Sequence, residues 1–326
     1  MSKETRKLLL VGHDNLFASS EEFDVDYLGG SARVMGKSDW EDTISRNSLI
    51  KNILLRKYDY IILPEIFLLR IGWQNPKSIK HRIARAIYRL SYSALFTACM
   101  RRLIRFFLRN KTIFFIGRFE QSGMHRQLFQ YFPKVKLYRT TSRSEIQVFD
   151  NLTAQPINWW MNISQYPKHD LEPTTAKIHD VFFVGATAIK ERKKVKVFQE
   201  ESLDRNIKFY RPTERLSFDD FTKTLSRSKI AWSPGGTSWQ CWRHYEALYY
   251  GAIPLINLPH SSIYNTLKHG ETALFYESIE EALDLIEQVL RGDLDLSLNA
   301  AERRQFVVDN HSEYFVRDFL TRELLE

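Results

Sequence analysis

The 326 residues, 44% of them apolar, suffice for two domains with real hydrophobic cores and exclude a disordered polymer. Two cysteines, Cys99 and Cys241, exclude a disulfide framework or a cysteine-ligated zinc site and fit a reducing compartment. The formal net charge of +8 is local: residues 66–119 carry 12 Lys and Arg and no acid, leaving 35 basic against 39 acidic residues elsewhere.

The chain starts Met1-Ser2-Lys3-Glu4-Thr5-Arg6-Lys7 and runs straight into strand-like Leu8–Val11, without the apolar core of a signal peptide, so a cytoplasmic protein is expected. The Asn151-Leu152-Thr153 and Asn162-Ile163-Ser164 sequons then carry no weight. After Val11 comes the polar loop Gly12-His13-Asp14-Asn15. Open α/β sheets place ligands at such strand ends, so His13 and Asp14 are candidates for acceptor contact or general base. The plainer reading, a loop histidine and a helix cap, stays open beside it. Tyr58–Leu63 and Thr112–Gly117 are apolar and β-branched enough to be buried parallel strands.

Between those strands lies the basic stretch 76–111, helical by its periodicity. Arg82, Arg85 and Arg89 face away from Ile83, Ile87 and Leu90; Arg101, Arg102, Arg105 and Arg109 face away from Met100, Leu103, Ile104 and Phe107. The uncharged run Leu90–Met100 is about half the ~20 residues of a bilayer span. Two readings remain: an amphipathic surface resting on anionic lipid headgroups, which would make the protein peripheral on the inner face of a membrane, or two ordinary helices covering a sheet. No nucleic-acid-binding motif surrounds the arginines, and a nucleic-acid partner is not expected.

Residues 151–177, with Pro156, Trp159-Trp160, Pro167 and Pro173, read as a linker in which the tryptophans serve hinge packing or a sugar platform. The expected division is a first domain over 1–165, a second over 175–300, and a tail over 301–326. The second domain opens on the strand His179–Val184 ending at Gly185, followed by a helix start with Lys190, Arg192, Lys193 and Lys194, a pattern that favours an anion. Ile207–Tyr210 is a further strand followed by Arg211. Leu216–Ser226 is an amphipathic helix whose Phe218, Phe221 and Leu225 belong to a core.

The most informative stretch is 226–257. A short strand, Ile230–Ser233, stops at Pro234-Gly235-Gly236; Thr237 or Ser238 is placed to cap a helix from about Trp242 to Tyr250; Gly251 ends it, and Ile253–Ile256 resumes as a strand. A glycine turn feeding a helix start presents unpaired amides and the positive end of the helix dipole to an anion, and a diphosphate fits. Arg243 and Glu246 project near one face of the first turns, a guanidinium for phosphate and a carboxylate for ribose hydroxyls.

Together, Pro234-Gly235-Gly236, Arg243-His244-Tyr245-Glu246-Ala247 and Gly251-Ala252-Ile253-Pro254-Leu255-Ile256 resemble the donor-binding segment of GT-B glycosyltransferases, nearest to exostosin-like and spore-maturation-type members. The resemblance implies an α/β fold of two Rossmann-like domains facing across a cleft, with a C-terminal helix crossing back to the first. It implies that Glu246 contacts the donor ribose, that Gly235 and Gly236 lie against the diphosphate, and that Tyr210 and Arg211 are candidates to wall the base; for Arg192 it implies a diphosphate contact, with a solvated basic helix face as the reading that stays open beside it. Many retaining members carry an acid seven positions before the ribose glutamate; Trp239 stands there, leaving retention or inversion open. Asp24-Val25-Asp26 and Asp293-Leu294-Asp295 are similar to the metal-holding signature of the other main glycosyltransferase fold, but neither sits between a strand and a donor loop, so no metal and no cofactor is expected. The implied activity is transfer from a nucleotide-diphosphate sugar to a glycan or lipid-linked acceptor, as in polysaccharide biosynthesis. The alternative is a non-catalytic nucleotide-sugar or polyanion-binding protein using the basic stretch.

Overall fold

The computed structural model describes residues 6–11, 23–28, 58–64, 112–117, 134–139, 146–149, 152–171, 176–187, 190–236, 239–259 and 266–325. His13, Asp14, Thr237 and the basic stretch 76–111 lie outside the described residues. The chain forms two compact units, residues 1–157 with 320–326, and residues 158–319.

The first unit is built on a seven-stranded sheet of order β2-β1-β3-β4-β5-β7-β6. Its strands are β1 (Arg6–Val11), β2 (Phe23–Leu28), β3 (Tyr60–Pro64), β4 (Thr112–Gly117), β5 (Val135–Arg139), β6 (Ile146–Phe149) and β7 (Leu152–Pro156). All neighbours are parallel except β6 against β7. Consecutive apolar residues such as Leu8-Leu9, Ile61-Ile62 and Ile113-Phe114 are buried, as they must be in strands covered on both faces. β2 lies on one side of β1 and β3 on the other, so the winding reverses at the carboxyl end of β1, where the chain continues to His13 and Asp14.

The last residues of the chain count with this unit. Lys136 Nζ and Tyr138 Oη donate to the Glu323 carboxylate at 2.9 and 2.5 Å, and Arg6 donates to the Leu324 carbonyl at 2.9 Å. The returning C-terminal helix implied by the resemblance is therefore present, and its anchor is a carboxylate held by a lysine and a buried tyrosine. The stretch expected as one helix is two, Ala300–His311 and Glu313–Leu325. Extended backbone at Ser312 separates them, and its Oγ turns back to the Val308 carbonyl at 2.5 Å.

The second unit holds a parallel five-stranded sheet of order β12-β11-β10-β8-β9: β8 (His179–Phe182), β9 (Phe209–Tyr210), β10 (Ser228–Trp232), β11 (Ile253–Asn257) and β12 (Leu274–Tyr276). Its helices are α1 (Val195–Asp204), α2 (Phe218–Ser226), α3 (Trp242–Tyr249), α4 (Ile279–Arg291) and α5 (Ala300–His311); α6 is Glu313–Leu325. Strand alternation sorts the core. Phe182, Ala231 and Ile256 pack with Leu225 of α2, Tyr245 and Leu248 of α3 and Val307 of α5. Val181, Ile230, Trp232 and Leu255 pack with Phe198 of α1 and Leu283 and Ile286 of α4. Gly251, just past α3, has φ +75°, the left-handed conformation that ends a helix at low cost.

One expectation is corrected here. Residues 158–171 are no linker: they belong to the second unit, with Trp159, Trp160, Met161, Ile163 and Tyr166 buried. Trp159 packs edge-on against Trp242 at 6.0 Å, so the tryptophan pair is core and offers no sugar platform. The backbone is satisfied at a distance: the Met161 N–H donates to the His311 carbonyl at 2.7 Å, and the Glu313 carboxylate accepts from the Ile163 and Ser164 amides at 2.7 and 2.8 Å. Among the described residues no helix is long and apolar enough to cross a membrane.

Candidate functional site

In the second sheet β8 stands between β9 and β10, so the chain winds outward to β9 one way and to β10, β11 and β12 the other. Such a reversal opens a crevice at the carboxyl ends of the two central strands, where open α/β sheets take their ligands. The loops leaving β8 and β10 carry Gly185 and Gly236.

Both glycines close on one side chain. A Cβ at Gly185 would sit 3.2 Å from the Arg192 guanidinium, and one at Gly236 would sit 3.1 Å from it. At both positions bare backbone leaves the guanidinium room that a Cβ would take only by pushing it aside. Arg192 itself is 7% exposed; its Nε donates to the Pro234 carbonyl at 3.3 Å, and Nη2 lies 3.9 Å from Cys241 Sγ. It comes from a 3-10 turn, Lys190–Lys194, rather than from the α-helix expected there; α1 begins only at Val195. Burial and the neighbouring Arg243 lower its proton affinity, partly offset by Cys241.

Arg243 stands in the first turn of α3, and its Nε is buried without a hydrogen-bond partner. Among the described residues neither arginine forms an ion pair with a carboxylate. An unsatisfied buried donor costs about 1–3 kcal/mol, and such a group calls for an explanation, a bound anion being one. One helical turn on, Glu246 is 2% exposed, and Tyr166 Oη donates to its Oε1 at 3.0 Å. Burial pushes its carboxyl up to about 7, against the opposing pull of Arg243 and the Tyr166 hydrogen bond.

Gly235 plays a different part from the one expected. Its N–H is spent on Asn257 Oδ1 at 2.7 Å, and a Cβ there would lie 3.1 Å from the Trp239 Cα. It permits a close chain crossing and has no amide to offer a diphosphate. Trp239 donates its indole N–H to the Asn257 carbonyl at 2.6 Å and packs against His244 and Phe275. Asn257 thus ties the turn to the end of β11, a role that a separation of 22 residues hides from a sequence reading.

The N-cap of α3 is Cys241, not Thr237 or Ser238, and it makes no side-chain cap bond. Its thiol is lowered to about 6: burial alone would raise it, but His244, Arg243 and Arg192 outweigh that. His244 is fully buried, with Nε2 donating to the Trp239 carbonyl at 2.8 Å and Nδ1 at 2.8 Å from Ser233 Oγ. Cys241, His244, Ser233 and Asn257 were all missed by sequence reasoning; the Cys-x-x-His spacing at a helix start was the one readable signal.

Gly185, Arg192 and Gly236 are therefore brought together, with Arg243 and Glu246 on the adjoining helix. Tyr210 and Arg211 lie one strand further out, at the end of β9. The Tyr210 ring is stacked on His179 at 4.4 Å and 10°, with Phe182 at 5.9 Å. The acidic pairs considered for metal are occupied otherwise: Lys7 lies 3.3 and 3.9 Å from Asp24 and Asp26, Arg291 pairs with Asp293 at 2.9 Å, and Asp295 accepts the Leu296 amide at 2.8 Å. Among the described residues no cluster of His, Cys, Asp or Glu could hold a metal ion.

Fold and site define a chain of two α/β units, each wound about a largely parallel sheet, the second with Arg192 and Arg243 on the segments that follow the two strands of its switch point. No family model and no curated protein matches the chain. Among solved structures it is similar to a sucrose-phosphate synthase from Thermosynechococcus elongatus (12% identity, TM-score 0.45, 98% of this chain and 99% of that one). It is also similar to T4 phage BGT in complex with UDP-glucose (13% identity, TM-score 0.45, 98% and 99%) and to Anabaena HepE in complex with UDP-glucose (9% identity, TM-score 0.47, 98% and 99%).

Proposed function

We propose that the chain is a GT-B glycosyltransferase whose second unit binds a nucleotide-diphosphate sugar. The observation that carries this reading is Arg192 seated between Gly185 and Gly236 at the switch point, with Arg243 and its buried, unpartnered Nε on the helix that follows and the Glu246 carboxyl one turn further on. Two fixed cations suit a diphosphate, and a carboxylate suits the vicinal hydroxyls of a ribose. In the reaction an acceptor hydroxyl oxygen bonds to the anomeric carbon, the bond from that carbon to the diphosphate breaks, and the nucleoside diphosphate leaves with the electron pair. Arg192 and Arg243 meet the charge that grows on the leaving group, so no divalent ion is required for that task. In this reading the first unit takes a glycan or lipid-linked acceptor beyond β1, and His13 or Asp14 receives the hydroxyl proton. Mass spectrometry of products formed from a panel of sugar nucleotides and acceptors tests the proposal. A sugar-sized mass gain on an acceptor supports it, whereas binding of diphosphates without transfer or hydrolysis leaves a nucleotide-binding protein.

A further inference from the structure

We infer that Tyr166 is a positioning residue for Glu246: the hydrogen bond from its hydroxyl orients the carboxylate and keeps it an acceptor for the donor's ribose hydroxyls. The inference rests on the proposed donor site and adds to it a residue from the stretch that reads as linker. Tyr166 is 6% exposed and comes from Asn158–Leu171, outside the helix that bears Glu246. Its ring is held without help from the hydroxyl, edge-on to Phe218 at 5.0 Å and to Tyr249 at 6.2 Å, and stacked on Tyr250 at 6.5 Å. The backbone on its N-terminal side is fixed by the Glu313 carboxylate. The polar end of an already anchored side chain is therefore free to serve the carboxylate, and it meets Oε1 at 3.0 Å.

The chemistry of the pair is one-directional. Burial and the nearby Glu246 charge raise the Tyr166 hydroxyl far above its ordinary value, so it remains a donor at every pH of interest. Glu246 is the member that changes. From its own helix and the preceding loop it is faced by Arg243 and His244, which favour the ionised form, and by Cys241, which opposes it; Tyr250 faces it from the end of the same helix and Tyr166 from the 158–171 segment. A protonated Glu246 would itself donate, and it would lose one acceptor site for the diol. The Tyr166 hydrogen bond acts against that protonation.

Uridine, guanosine and adenosine diphosphates titrated into the full chain between pH 5.5 and 9 test this, with Tyr166→Phe and Glu246→Gln measured alongside. For the best-bound diphosphate, wild-type affinity is expected to rise as pH passes about 7. Tyr166→Phe moves that midpoint upward, so binding is about tenfold weaker near neutrality and recovers toward pH 9, while melting stays close to wild type. Glu246→Gln binds weakly with no such midpoint, and adding Tyr166→Phe to it changes nothing further. A Tyr166→Phe titration with the wild-type midpoint overturns the inference while leaving the donor site standing. A Glu246→Gln variant with full affinity and the wild-type pH profile removes the ribose assignment and the inference together.

Discussion

A methyl group added to Gly236 would come within 3.1 Å of the Arg192 guanidinium, so the turn that ends β10 and the 3-10 turn that follows β8 are fitted to each other through that contact. The neighbour that must yield is the far end of a flexible side chain. Gly236→Ala is expected to cost about 1 kcal/mol of stability or less, yet to displace Arg192 and weaken diphosphate binding roughly tenfold. Thermal melting and calorimetric titration of the same sample separate the two effects. A variant with unchanged affinity would show that Arg192 does not touch the ligand.

Arg192→Met and Arg243→Met remove cation while keeping much of the aliphatic stem. Each is expected to weaken nucleoside-diphosphate binding by about 10- to 100-fold, since hydrogen bonds to charged groups contribute ~1.5–3 kcal/mol. Relieving the unpaired Arg243 Nε should leave Arg243→Met as stable as wild type or slightly more so. Turnover should survive chelation of divalent ions, because the two guanidiniums carry the charge. Loss of activity in EDTA, restored by one metal, would contradict this.

The Glu246 carboxyl carries a stability penalty. Its folded value, about 7, lies above the ordinary 4.5, so between those values the native state holds the proton more tightly than the unfolded chain. Stability contributed by the protonated group is complete below pH 4.5 and falls as pH rises toward 7. Glu246→Gln should therefore be more stable than wild type above pH 7, by on the order of 2 kcal/mol, while losing donor affinity. Urea denaturation at pH 5 and pH 8 checks the sign: the difference between the proteins must grow with pH.

His311 predicts the opposite slope. It is fully buried, Nδ1 lies 2.6 Å from the Trp159 carbonyl and Nε2 lies 2.7 Å from Thr266 Oγ1. Burial lowers its pKa to about 4, the Trp159 carbonyl only partly opposing. The unfolded chain therefore takes up a proton first, and the stability from neutral His311 is lost as pH falls from about 6.5 to about 4. His311→Gln should melt lower at pH 7 and lose less than wild type on acidification; parallel melting curves would contradict the assignment.

What could be read from the chain followed from range. β1, β3 and β4 of the first sheet and β8 to β11 of the second were legible because their apolar runs are continuous, whereas β2, β5 and β6 were not read and β7 was taken into the linker. α3 was legible to within a residue because Gly251 marks its end. Segment 158–171 was misread because prolines and polar residues announce a loop locally, while Trp159 and Tyr166 find their partners, Trp242 and Phe218, far along the chain. The N-cap was misread because a helix that starts at Trp242 has its cap position at Cys241, four and three residues beyond Thr237 and Ser238. Arg243 and Glu246 were readable from spacing, but the seat of Arg192 was not, since it depends on two loops meeting at a switch point.

The central claim, that Arg192 and Arg243 hold the diphosphate of a sugar nucleotide at the β8/β10 switch point, is tested most directly by release of nucleoside diphosphate. The release would be followed from a panel of sugar nucleotides, with acceptor present, for wild type and for the Arg192→Met/Arg243→Met double variant. The account predicts release from at least one donor by the wild type, coupled to glycosylated product, and a loss of more than about 100-fold in kcat/KM for a variant that still melts cooperatively. Equal release by the double variant, or none by wild type from any donor, would contradict it.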